Sequence, residues 1–209
     1  MKYPNAYKGT LKIFIAHILE ILSAILLVTT AVLLASNVSG TIITGLSIAA
    51  SVSAIIAFVI QLIGLYQGGQ DEDAFKKGFI ATIVIILLAV TEVILKLIPG
   101  IPAFIISTIP TLSSIIALFI VIFILQAIYL LAHHLRDEEM MKKSKMLMWV
   151  ELILYLVRAV LGLFPIFLGN ETWAVTTLSI IAIVVALIEL ITFIVFVIYL
   201  TKATKMLKR

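Results

Sequence analysis

The run LSSIIALFIVIFILQAIYLLA, Leu112 to Ala132, carries no charged residue, and only Ser113, Ser114, Gln126 and Tyr129 interrupt its apolar surface. Coiled as a helix at about 1.5 Å per residue, it reaches across a hydrocarbon core of roughly 30 Å, which takes about 20 apolar residues. Comparable runs precede it at Leu11–Ala35, Ile42–Tyr66 and Phe79–Ile98 and follow it at Met146–Phe167 and Trp173–Leu200. A mean hydropathy of +1.27, with 63% hydrophobic and 12% charged residues, excludes a soluble domain of ordinary composition. Backbone in lipid must satisfy its own hydrogen bonds, and strands of about ten residues with alternating polarity are absent, so helices rather than a barrel are expected. The expected fold class is all-α: a polytopic membrane protein of six transmembrane helices, forming one membrane domain over residues 1–209.

Basic residues cluster at alternate ends of these runs. Lys2, Lys8 and Lys12 lie at the start of the first, Lys76 and Lys77 between the second and third, Arg136, Lys142, Lys143 and Lys145 between the fourth and fifth, and Lys202, Lys205, Lys208 and Arg209 after the sixth. The three opposite loops have none, so the positive-inside rule predicts both termini in the cytoplasm. The net charge of +4 is then a juxtamembrane fringe that meets anionic lipid heads, and no nucleic-acid partner is expected. The first run is too long for a cleavable signal peptide and a second span follows at once, so it is expected to stay in the mature protein. Without cysteine, disulfides, thiol catalysis and Cys-based metal sites are absent. An Asn-x-Ser match at Asn37–Ser39 has meaning only in a glycosylating secretory pathway.

The junction Asp71-Glu72-Asp73-Ala74-Phe75-Lys76-Lys77-Gly78 recurs as Asp137-Glu138-Glu139-Met140-Met141-Lys142-Lys143-Ser144. The same offset carries Leu95-Lys96-Leu97-Ile98-Pro99 onto Leu161-Gly162-Leu163-Phe164-Pro165, and Ala6-Tyr7-Lys8-Gly9 echoes the segment around Phe75. Even-numbered spans share an entry: Thr44-Gly45-Leu46-Ser47, Thr111-Leu112-Ser113-Ser114 and Thr177-Leu178-Ser179. A period of about 65 to 70 residues makes the unit one αα-hairpin, repeated in the same orientation over residues 1–70, 71–136 and 137–209. Parallel repeats of this kind are related by an axis along the membrane normal. The acidic residues of the junctions suit helix N-termini, and the lysines suit the interface. Ile63-Gly64-Leu65-Tyr66, with the acidic turn and Phe75-Lys76-Lys77 that follow, resembles small multi-spanning prokaryotic membrane proteins, which implies a prokaryotic plasma membrane and no residue role.

In the second span Gly45, Ala49, Ser53 and Ala57 recur every four residues and predict a ridge for close helix packing. Ionisable residues within spans are costly, about 2.5 to 3.5 kcal/mol at a helix centre, and are expected to face protein or water. Counted from the basic ends of the apolar runs, His17, Glu20, Gln61, Gln126, Glu151 and Glu189 fall in the inner half of the bilayer. Convergence of His17, Glu20, Glu151 and Glu189 would form an acidic pocket for a cation, a proton relay or an amine. Glu92, Lys96 and Arg158 lie nearer the outer face and are read as a structural ion network, with Glu92 and Lys96 at favourable i,i+4 spacing. His133 and His134 are adjacent and point about 100° apart, which suits a surface more than a metal. The segment Pro99–Pro110, with Gly100 and Pro102, is expected to break helix and lie at the outer interface.

No nucleophile elbow, phosphate-binding loop, His-Glu-x-x-His helix or dinucleotide fingerprint occurs, so no enzyme is expected. The composition names no cofactor and no metal. The leading expectation is a transporter of a small cationic solute or ion, or the membrane-embedded binding subunit of one. The alternative is a structural or regulatory protein whose helices bind lipid, another membrane protein or a second copy of the chain.

Overall fold

Pro4 opens the first helix without loss, because a first-turn N–H has no intrahelical partner and the ring presets φ. From there the computed structural model describes residues 2–36, 40–98, 100–168 and 172–208, without the side chains of residues 103, 104, 107, 162–168, 172–180 and 182. Asn37–Ser39 and Pro99 lie outside the described residues. Among the described residues six helices follow one another: α1 Pro4–Ala35, α2 Gly40–Gly68, α3 Asp73–Leu97, α4 Ala103–His134, α5 Glu138–Leu168 and α6 Thr172–Lys208. Among the described residues there is no strand. Over the described residues five of the helices are long and apolar enough to cross a membrane.

Several helices outrun their apolar segments at the basic ends. α1 begins before Leu11, and α6 continues past Leu200 to Lys208. The Pro-rich segment departs from expectation in a related way. Gly100 takes a positive φ of 86° and Pro102 stands at the N-cap, but helix then runs from Ala103 with Pro110 inside it. Proline removes one backbone donor, and a long apolar helix whose other backbone groups are paired tolerates that loss.

The chain divides into two units: Met1–Lys76 with Leu200–Arg209, and Lys77–Tyr199. In the first, α1 and α2 pack antiparallel. The α1 seam is Ala6, Gly9, Thr10, Ile13, Ala16, His17 and Ser23, all buried, at the three- and four-residue steps of one helix face. The α2 seam is Ala50, Ser53, Ala57, Gly64, Leu65 and Gly68. At one end the backbones nearly touch: a Cβ on Gly9 would lie 2.5 Å from the Gly64 carbonyl oxygen, and one on Gly64 would lie 2.8 Å from the Gly9 oxygen. Farther along, the Ser23 hydroxyl donates to the Ala50 carbonyl at 2.9 Å. Ser53 and Ala57 of the expected ridge are therefore buried, whereas Gly45 and Ala49 are exposed and Gly45 has nothing within 4 Å of a would-be Cβ.

The turn after α2 returns to the start of α1. Asp71 Oδ2 accepts the backbone N–H groups of Asn5 and Ala6 at 2.7 and 2.8 Å, and Oδ1 accepts the Asn5 side-chain amide at 3.0 Å. The repeat-equivalent Asp137 acts locally, taking the N–H of Met140 at 3.0 Å in the first turn of α5. Arg136 makes the preceding turn with a positive φ of 57°.

In the second unit α4 packs on α5, with Ile124, Leu125, Ile128 and Leu131 fully buried on α4. Buried hydroxyls link α5 to α6: Ser144 donates to the Met140 carbonyl at 2.8 Å, which leaves its oxygen to accept the Tyr199 hydroxyl.

Candidate functional site

In the first unit the polar pair lies on α1. Glu20 follows His17 by three residues, which sets them on one face, and His17 Nδ1 stands 2.5 Å from Glu20 Oε2. His17 is 5% exposed, Glu20 is half-buried, and Ser23 continues the polar line toward α2. The Glu20 carboxylate at Nδ1 fixes the orientation of the imidazole ring. Gln61 of α2 is half-buried, and its side chain has no hydrogen bond among the described residues.

The second unit holds a charged cluster on α5 and α6. The Arg158 guanidinium donates to Glu189 Oε2, joining the two helices. Glu151 precedes Arg158 by about two helical turns on the same α5 face. Glu151 is half-buried, and its side chain has no hydrogen-bond or ion-pair partner among the described residues. Two carboxylates and one guanidinium leave the cluster one negative charge in excess when all are ionised. A proton or a monovalent cation balances it.

The sequence set Arg158 apart from Glu189, with Glu92 and Lys96. The structure pairs Glu92 with Lys96 on α3 at 2.5 Å and pairs Arg158 with Glu189. Glu189 lies about as far from the end of α6 as Arg158 lies from the start of α5, so the two meet at one level. Gln126 is half-buried on α4 and its side chain has no hydrogen bond among the described residues. His133 and His134 are both exposed, with ring centroids 6.2 Å apart. Among the described residues no three His, Asp or Glu side chains gather as a metal site.

Ser23, Ser144 and Tyr199 carry structural hydrogen bonds that no spacing in the sequence marks, whereas Asp71, an acidic residue of the repeated junction, serves a helix N-terminus. A signal did exist for the glycine crossing, since Gly64 and Gly68 have the small-xxx-small spacing that lets helices approach. No protein-family model, curated protein or solved structure matches the chain.

Proposed function

We propose that this integral membrane protein crosses the bilayer six times, as three repeated hairpins with both termini in the cytoplasm, and binds a small cation or proton at its intramembrane carboxylates. On this reading it is a transporter of a small cationic solute or ion, or the embedded binding subunit of one. The observation that carries the proposal is Glu151, mid-helix on the α5 face that carries the Arg158–Glu189 ion pair, half-buried and without a hydrogen-bond or ion-pair partner among the described residues. Burying charge in lipid is costly, and pairing Arg158 with Glu189 offsets the cost for two of the three groups. The third is held in readiness for a cation.

Thermal unfolding in detergent tests the reading, with sodium, potassium or methylammonium chloride titrated while choline chloride holds the ionic strength. One of these cations should raise the melting temperature progressively, by the equivalent of about 2.7 kcal/mol at a hundredfold excess over its Kd. Glu151→Gln and Glu189→Gln should remove the effect while unfolding stays cooperative. No shift with any of the three, or an equal shift in both variants, defeats the proposal.

A second reading, a structural protein that binds another membrane protein, is favoured by the exposed Gly45 and Ala49 with open space beside them. Bulky Gly45→Leu would then abolish association in bilayers and leave cation binding intact.

A further inference from the structure

Tyr129 near the end of α4 and Glu138, Met141, Lys142 and Lys145 on α5 line a shallow, open groove of about 310 Å³. The four α5 residues fall at steps of three, one and three, so they form a single stripe facing the α4 tyrosine. The neighbouring Lys143 is committed to an ion pair with Glu139. Lys142 and Lys145 are different: both are exposed, and neither side chain has a hydrogen-bond or ion-pair partner among the described residues. The Tyr129 hydroxyl and the Glu138 carboxylate are likewise unbonded among the described residues. Such a grouping stands where an apolar helix ends, since α4 is among the helices able to cross a membrane and the apolar run of α5 starts at Met146.

We infer that this groove seats the headgroup of an anionic phospholipid, with Lys142 and Lys145 on the phosphodiester, the Tyr129 hydroxyl as a further donor and Met141 against the glycerol and upper acyl chain. Two ammonium groups and one carboxylate give the lining a net charge of +1. A headgroup of charge −1 neutralises it, whereas a zwitterionic headgroup leaves it uncompensated. Lysine stems lie along apolar surface while their heads meet phosphate, and basic recesses between spans are suited to such lipids. The inference rests on α4 as a membrane span and is independent of the Glu151 cluster.

Trp149 supplies the probe. It is exposed and lies four residues beyond Lys145, one turn deeper on the same stripe. Full-length Trp173→Phe protein, in which Trp149 is the remaining indole, is reconstituted in phosphatidylcholine vesicles with a minor fraction of acyl-brominated phosphatidylglycerol, phosphatidylethanolamine or phosphatidylcholine. Brominated phosphatidylglycerol should reach half-maximal quenching at about one fifth the mole fraction required of brominated phosphatidylcholine, the scale set by one net charge at the headgroup level. Adding Lys142→Gln and Lys145→Gln should erase the difference, and Lys142→Arg with Lys145→Arg should keep it. Equal quenching by the two lipids, or a preference that survives the glutamine pair, overturns the inference. Phosphatidylethanolamine matching phosphatidylglycerol would overturn the charge selectivity, and loss of the preference in excess inorganic phosphate would assign the groove to the free anion instead.

Discussion

Asp71 satisfies two orphan N–H groups at the start of a helix to which it is not contiguous, and it does so with a carboxylate, whose charge suits the positive end of α1. Asp71→Ala should lower stability by about 1 to 2 kcal/mol in detergent unfolding, as for other lost N-caps. Asp71→Asn, which keeps an acceptor, should lose less. Arg158 and Glu189 behave in the opposite sense on double substitution. Arg158→Gln leaves Glu189 without its cation, so the single variant should be less stable than Arg158→Gln with Glu189→Gln, where neither charge remains. A double-mutant cycle on thermal melting separates that coupling from the cost of each change, and additive losses would show the pair to be uncoupled.

The four-residue spacing that suggests a ridge on α2 also explains why only half of it is buried. At about 100° per residue a step of four overshoots a turn by about 40°, so Gly45 and Ala57 are separated by about 120° around the helix. The observed seam, Ala50, Ser53, Ala57, Gly64 and Gly68, mixes steps of three, four and seven and stays on one face. Gly9→Ala or Gly64→Ala drives a methyl into facing backbone and should cost about 1 to 3 kcal/mol, the range for overpacking. Gly45→Ala meets open space and should instead stabilise the helix by up to about 1 kcal/mol. Equal effects at Gly64 and Gly45 would refute the close crossing. The existence of every helix was legible, because apolar runs of this length have no alternative in lipid. Their bounds were not, since residues such as Lys8, Thr204 and Lys205 remain helical beyond the hydrocarbon, where composition gives no hydrophobic signal. Helix through Pro110 was missed because proline's penalty is learned from helices that water can unravel.

At the scale of the molecule, charge asymmetry predicts that residue 41 lies outside the cell and residue 208 inside. With no native thiol as background, a membrane-impermeant maleimide on intact cells should label Thr41→Cys and spare Lys208→Cys until permeabilisation. The reverse pattern inverts the topology. The ionisable residues within the helices were visible as types, but the Arg158–Glu189 partnership was not. Arg158 lies 12 residues from Met146 and Glu189 lies 11 from Leu200, so their common level is legible, whereas the facing of α5 and α6 that joins them is a matter of tertiary packing. The bond from Asp71 to the start of α1 has a further consequence for how the chain is made. Its acceptor lies 66 positions after Asn5, so a nascent α1 leaves the ribosome with its first turn open and stays open through the synthesis of α2. On the proposed topology it closes only if α2 returns through the bilayer to the side on which α1 began. On that topology a hairpin threaded wrongly would leave the carboxylate across the membrane from its donors, and α1 would begin without its cap.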